Sequence, residues 1–252
     1  MTNARSSIGQ TLEVKRFEHR MALGAAAASD IAGFLREVLA NGPVRMVLAS
    51  APSQWETLQA LAAMSGIDWS RVTVFHMDEY IGLDPSDERR FGNWLVSHFI
   101  EHVSVGAFHA IEPGEDAAAE ARRYAALLAA APIDLVCLGI GVNGHIAFND
   151  PPVADFVDPL AVKVVELDRI CRQQQVDEKC FVTIDAVPTH ALTLTVPRLL
   201  DAGRMFCMVP GANKREAVAA TLNGPLTPNC PASVLRTHRQ CTLYLDSESD
   251  PR

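Results

Sequence analysis

The stretch Asp134-Leu-Val-Cys-Leu-Gly-Ile-Gly-Val-Asn-Gly-His-Ile-Ala-Phe-Asn-Asp-Pro-Pro152 decides how the rest of the chain is read. The apolar run Ile133 to Leu138 has the length and composition of a buried strand. The chain then breaks into Gly139, Gly141 and Gly144, presents Asn143, His145 and Asp150, and is stopped by Pro151 and Pro152. A histidine and a carboxylate on a glycine-rich turn at a strand end suit proton transfer to a bound ligand. Histidine changes charge near neutral pH, so His145 is the candidate acid or base. Asp150 is the candidate to orient its ring; the plain alternative is a histidine satisfying loop carbonyls.

Gly139 to Gly144 also matches G-x-G-x-x-G, the dinucleotide fingerprint. That fingerprint needs a helix starting at the third glycine, with its N-terminus against a pyrophosphate. Only six residues separate Gly144 from Pro151, and proline disfavours helix in the residue before it. A full crossover helix does not fit, which argues against NAD. The glycines, Gly144 among them, instead let the backbone adopt positive φ and approach a ligand closely.

Outward from this stretch the pattern alternates. Strand-like runs occur at Val44–Ala49, Val72–Met77, Val162–Leu167, Ala191–Val196, Met205–Val209 and Thr242–Leu245. Helical patterns cover about Ala22–Ala40, Trp55–Met64, Phe91–His102, Glu115–Ala130 and Asn213–Leu222, with a short turn at Arg198–Asp201. Such alternation predicts a mostly parallel, Rossmann-like sheet with helices on both faces, a three-layer α/β/α fold. A length of 252 residues, with no repeat or linker, fits one domain spanning 1–252. Ligands in these folds sit at the carboxyl ends of the strands. Ser50–Gln54, Asp78–Tyr80, Asn143–Asp150 and Gly211–Lys214 should therefore converge on one pocket.

The chain is 48% hydrophobic, enough for a large core, yet no apolar run reaches the ~18 residues of a membrane span. Met1 to Arg20 is polar and lacks the apolar centre of a signal peptide. A net charge of −8 argues against nucleic-acid partners, which require a basic face. An anionic small substrate would need a local anion site. None of the six cysteines forms a C-x-x-C pair, so the expectation is reduced thiols in a cytoplasmic protein and no zinc cluster.

Three further segments carry chemistry. Asp78 and Glu79 directly follow the Val72–Met77 run, where a carboxylate serves either as a general base or as a turn or cap residue. Gly211-Ala-Asn-Lys-Arg-Glu216 opens a helix, whose first N–H groups and dipole end favour an anion, and Lys214 adds a point charge. Ser50-Ala-Pro-Ser-Gln54 follows the Val44–Ala49 run. Its Ser50 and Ser53 hydroxyls and the N–H groups up to Gln54 suit a phosphate cradle or a helix cap.

These four segments, in this order, resemble the glucosamine-6-phosphate deaminase/isomerase family, within the wider group that holds 6-phosphogluconolactonases and ribose-5-phosphate isomerases. The resemblance runs roughly from Val44 to Leu245 and is most specific at Met77-Asp-Glu-Tyr-Ile-Gly-Leu83 and Gly139–Pro151. The run His145-Ile-Ala-Phe-Asn-Asp-Pro151 sides with the deaminases against the lactonases. The resemblance implies that Asp78 moves a proton between C2 and C1 of the open-chain sugar and that His145 assists ring opening. It implies that Asp150 stands where a glutamate supports this histidine, that Lys214 binds the phosphate, and that Ser53 lies in the phosphate loop. Ser50, Gln54, Glu79 and Gly144 are taken with these as substrate-binding. The implied reaction isomerises and deaminates an amino-hexose 6-phosphate, glucosamine 6-phosphate giving fructose 6-phosphate and ammonia, with no metal or organic cofactor. The implied partner is a small sugar phosphate, with no nucleic acid and no membrane, and family analogy implies a homo-oligomer.

Several positions depart from the family pattern. Asn143 replaces an aspartate; an amide can hydrogen-bond His145 but cannot stabilise an imidazolium by charge. Asp150 is one methylene shorter than the usual glutamate, and Pro52 removes one N–H from the phosphate loop. The segment Arg169–Phe181 takes the place of the family's lid, around residues 160–182, and Arg172 and Lys179 are candidates to reach the phosphate. Ala161 stands where allosteric members carry a basic residue. The alternatives left by these departures are the C4 epimer galactosamine 6-phosphate as substrate, a lactonase-like hydrolase, and a non-catalytic sugar-phosphate sensor.

Overall fold

Five strands bury both of their faces. These are β2 (Val44–Leu48), β3 (Val72–His76), β6 (Leu135–Leu138), β9 (Arg204–Val209) and β10 (Cys241–Leu245), within an order that also holds β1 (Glu13–Arg16), β4 (Asp78–Tyr80), β5 (Ala107–His109), β7 (Val162–Glu166) and β8 (His190–Leu194). Side chains alternate across a strand, so Met46, Leu48, Val74, Cys137, Phe206 and Met208 enter one apolar layer. Val47, Phe75, Val136, Leu138, Cys207 and Val209 enter the other. A strand apolar on both sides is stable only between two covering layers, the usual setting of parallel strands.

Helices supply those layers: α1 (Arg20–Leu39), α2 (Trp55–Ala62), α3 (Phe91–His98), α4 (Ala117–Ala129), α6 (Val196–Leu200) and α7 (Arg215–Asn223), while α5 (Arg169–Asp177) buries Cys171 in a third cluster. Leu23, Ile31 and Leu35 of α1, Leu58 and Leu61 of α2 and Leu95 of α3 pack on the first face. Tyr124 and Leu128 of α4, Leu199 of α6 and Val218 of α7 pack on the second. The computed structural model describes residues 12–252; residues 1–11, part of the polar start expected to carry no signal peptide, lie outside the described residues. No helix among the described residues is long and apolar enough to cross a membrane.

The main sheet has seven strands in the order β1-β10-β9-β6-β2-β3-β5, all pairs parallel. The mostly parallel α/β architecture is thus the one that the alternation predicts. Two of the anticipated strands lie elsewhere. β7 and β8 form a separate antiparallel sheet, in the order β4-β8-β7. Val162 and Val165 of β7 are buried while Val164 and Glu166 are exposed, and antiparallel strands tolerate one wetted face. The expected turn at Arg198–Asp201 is largely helix. Thr195 caps α6 by accepting from Arg198 N at 3.4 Å, with Pro197 in the first turn, a start signal that precedes the segment. β1, β4 and β5 have three or four residues each, too few to show a period.

β3 hands the chain directly to β4. Met77 lies between them, and its carbonyl accepts from Leu194 N at 2.8 Å, tying the two sheets together. Tyr124 holds this crossing from below. Its hydroxyl accepts from His76 N at 2.9 Å and lies within hydrogen-bond reach of the His76 carbonyl at 2.9 Å and the His109 carbonyl at 3.1 Å. Tyr124→Phe strands these buried groups at a cost of about 1–3 kcal/mol. A chemical-denaturation midpoint falling by that equivalent, with an unchanged denaturant slope, is the expected outcome; an unchanged midpoint would show that the hydroxyl contributes nothing.

Candidate active site

The parallel sheet reverses its winding between β2 and β6: β2 leads on to β3 and β5, whereas β6 leads on to β9 and β10. The connections leaving β2 and β6 therefore diverge and leave a crevice at the carboxyl ends of these strands. A cavity of about 650 Å³ opens there, within the range of small-molecule sites. All four segments expected to converge reach it, through Ser50 and Ser53, Asp78 and Tyr80, His145, and Lys214.

Asp78 is the first residue of β4, paired with Thr193, and it is buried at the cavity wall. Burial, with Glu79 and Asp150 nearby, pushes its carboxyl well above the usual range. Glu79 points to the other side of the strand. Its carboxylate accepts from the backbone N–H of Tyr80 (2.9 Å), Phe91 (3.0 Å) and Gly92 (2.9 Å), and lies 3.8 Å from Arg90 Nε. Burial raises it to about 7 against those donors. Glu79 does not line the cavity; it anchors the N-terminus of α3, so the expected substrate contact is replaced by a structural one. Two residues further along the strand, Tyr80 lines the cavity with a buried hydroxyl that has no partner.

The loop after β6 folds back on itself through Gly141 N to the His145 carbonyl at 2.9 Å. A side chain at Gly141 would collide with the His145 ring, so this glycine is what lets the imidazole lie against bare backbone. Gly144 takes φ +84°, and an added Cβ would lie 2.9 Å from Cys230 Sγ; it serves the turn and does not line the cavity. His145 Nδ1 lies 2.9 Å from Asp150 Oδ1, without the alignment of a hydrogen bond. Asn143 links the two residues: its Nδ2 donates to Asp150 Oδ1 at 2.9 Å and its Oδ1 accepts from His145 N at 3.1 Å. Burial works to raise the Asp150 carboxyl, but the neighbouring His145 and the Asn143 amide hold it below the usual carboxylate range. Asn143 and Asp150 thus stand behind His145 and off the cavity surface.

At the other end, Ser50 donates to the Phe91 carbonyl at 3.0 Å, and Ser53 Oγ accepts from Gln54 Nε2 at 3.0 Å. Gln54 is itself buried and also reaches the Met208 carbonyl at 3.3 Å, so it braces the loop without lining the cavity. Lys214, in a short 3₁₀ turn before α7, is buried, with its ammonium 3.2 Å from Glu178 Oε1. Glu178 follows α5 and also accepts from Gln174 Nε2 at 2.8 Å, while Gln174 Oε1 accepts from Val142 N at 2.9 Å. Arg172, one of the two lid residues expected to reach the phosphate, points away. Its guanidinium donates to the carbonyls of Ile184 (2.6 Å) and Val187 (2.9 Å), and the residue lines a separate hollow. The cavity wall facing α5 instead carries Gln174, Gln175 and Glu178.

Sequence reasoning did not assign Tyr80, Gln174 or Glu178. Tyr80 lies inside the motif already singled out, two positions after Asp78, where strand alternation returns it to the same face. Gln174 on α5 and Glu178 at its C-cap lie four apart, one helical turn, a spacing present in the sequence but uninformative until the facing side is known. Trp94, His98, Phe91, Phe148 and Phe181 complete an aromatic wall. Among the described residues, the cluster spaced to hold a metal is His145, Asp150 and Cys171.

Residues 18–158 match the family described as glucosamine-6-phosphate isomerases/6-phosphogluconolactonase. The chain is similar to the glucosamine-6-phosphate deaminase of Listeria monocytogenes serotype 4a (strain HCC23), 35% identical over 214 residues that cover 84% of this chain and 88% of that protein. Among solved structures, a monomeric glucosamine-6-phosphate deaminase superposes with a TM-score of 0.86 at 28% identity, covering 94% of this chain and 98% of the other. A 6-phosphogluconolactonase from Shewanella baltica OS155 shares the fold, with a TM-score of 0.77 at 20% identity and the same coverage, 94% and 98%.

Proposed function

Since the chain belongs to the glucosamine-6-phosphate isomerase/6-phosphogluconolactonase family, we propose that it converts an amino-hexose 6-phosphate, glucosamine 6-phosphate foremost, and water into fructose 6-phosphate and ammonia. The observation that carries this reading is one cavity walled by a buried carboxylate, a histidine backed by a second carboxylate, and a buried lysine. Those three meet the three demands of the reaction: a base for a carbon-bound proton, an acid for the ring oxygen, and a cation for the phosphate.

His145 delivers a proton to the ring oxygen as the sugar opens, with Asp150 and Asn143 fixing its position from behind. Asp78 then removes the proton from C2 and returns it to C1 while an amine proton passes to the C1 oxygen, which turns the amino-aldose into a ketimine. Water adds to the C2 imine, and ammonia leaves as the ketone forms. Asp78 is suited to this because its burial moves its pKa toward the working pH, where a base is most effective. Gly139 and Gly141 line the cavity beside His145, and Gly141 leaves the room that the imidazole fills.

The phosphate is held by Lys214 and Ser53. Its arrival displaces Glu178 from Lys214, which frees the end of α5 to move; α5 and the segment on to Phe181 are read as the lid. Asp78, His145, Lys214 and Ser53 all line this one cavity. All six cysteines are unpaired, as suits a reducing compartment such as the cytoplasm.

Asp78→Asn lowers ammonia release from glucosamine 6-phosphate by about 10²–10⁴-fold, the usual worth of a general base, read in a coupled ammonia assay; normal turnover in this variant removes Asp78 from the chemistry. The base must be ionised and its pKa is raised, so kcat/KM falls on acidification with a limb above the usual carboxylate range. An acid limb at the ordinary aspartate value contradicts this. Glu178→Gln keeps the shape but removes the competing charge, and KM for the sugar phosphate drops about five- to tenfold with kcat changed less. A KM equal to wild type shows that the phosphate does not compete with Glu178.

A further inference from the structure

The His145 imidazole, the Asp150 carboxylate and the Cys171 thiol come from a loop, its end and α5, yet one ligand atom of each lies within 4.8 Å of the others, and all three residues are buried. Two of the donor atoms are incompletely used: Asp150 Oδ2 is buried with no hydrogen-bond partner, and His145 Nδ1 meets Asp150 Oδ1 at 2.9 Å without hydrogen-bond alignment. Leaving a buried carboxylate oxygen unpaired is unfavourable, and a cation bound there relieves it. Cys171 takes no part in the proposed reaction.

The donor set identifies the ion. A thiolate, an imidazole nitrogen and a carboxylate oxygen are the ligands that tetrahedral zinc takes, and three protein ligands leave the fourth position to water. Oxygen-seeking calcium or magnesium would not choose a sulfur and a nitrogen. One of the three donors also borders an opening to solvent. Asp150 lines a second hollow of about 530 Å³, distinct from the sugar cavity, together with Glu166, Asp168 and Asp185 against Arg169 and Arg172. Four carboxylates facing two guanidiniums bias this mouth toward cations.

We propose that His145, Asp150 and Cys171 form an inhibitory zinc site. Zn²⁺ binds His145 Nδ1, an Asp150 oxygen and Cys171 Sγ, and the thiol proton leaves to solvent. The bound ion holds the imidazole and its carboxylate, so the sugar site loses its acid. The inhibition rests on the proposed reaction; the binding does not.

Co²⁺ is the probe, because a thiolate–cobalt bond gives a near-ultraviolet charge-transfer band and tetrahedral cobalt gives strong visible bands. Titration of the full chain with Co²⁺ should produce both at about one ion per chain, and Zn²⁺ should abolish them by displacement. In Cys171→Ala, and in Cys171→Ser should the alanine variant not fold, the charge-transfer band is lost while ammonia release is retained. Zn²⁺ then inhibits these variants at least about tenfold less strongly than wild type. A charge-transfer band that persists without Cys171, or none in wild type at excess Co²⁺, overturns the site. Cobalt bands without any ammonia release from wild type leave the metal site standing and overturn the reaction instead.

Discussion

The hydrogen bond from Leu194 N to the Met77 carbonyl governs the architecture of the site. It fixes the point where a strand leaves the parallel sheet and joins the antiparallel one. The pairing Asp78↔Thr193, Glu79↔Leu192 and Tyr80↔Ala191 then sets three side chains by simple alternation. Asp78 and Tyr80 face the cavity, while Glu79 turns to the N-terminus of α3 and accepts from its first two backbone N–H groups, those of Phe91 and Gly92. One register thus supplies both a reactive carboxylate and the anchor of the helix that carries Trp94 and His98 into the aromatic wall. A slip of one residue would exchange the two acids.

The second half of the site is built on absence of side chain. The His145 ring occupies the space that a Cβ at position 141 would need. The imidazole is therefore clamped between backbone on one side and the Asn143–Asp150 pair on the other. With an amide at 143, Asp150 is the carboxylate that neighbours the ring, and its lowered pKa keeps that charge in place.

What was legible in the sequence follows from how each position is fixed. β2, β3, β6, β9 and β10 are apolar on both faces, and such runs declare themselves without knowledge of their partners. That β7 and β8 are strands was equally visible, but the sheet they join depends on which face stays wet, a tertiary matter. β1 and β5 are edge strands too short to show a period. Asp78, His145 and Lys214 stand at strand ends, where fold class alone predicts the pocket. Glu79 and Tyr80 needed the pairing register, and Arg172, Gln174 and Glu178 needed the orientation of α5, which no local pattern states. Cys171 was read only as one of six reduced thiols, because its neighbours, at positions 145 and 150, are distant along the chain.

The edge of the main sheet has a consequence for assembly in time. Among the described residues β1 pairs only with β10, and the Thr242 hydroxyl donates to Glu13 Oε2 at 2.7 Å across 229 positions of sequence. A nascent chain emerging from the ribosome therefore carries β1 without a place to dock until β10 has been made. Closing so long a loop adds little equilibrium cost, since that cost grows only logarithmically with length, but contacts of such separation form slowly. During that interval the unpaired side of β9, apolar on both faces, is a template for another chain. The last strand thus acts as the fastener that ends the protein's exposure to aggregation.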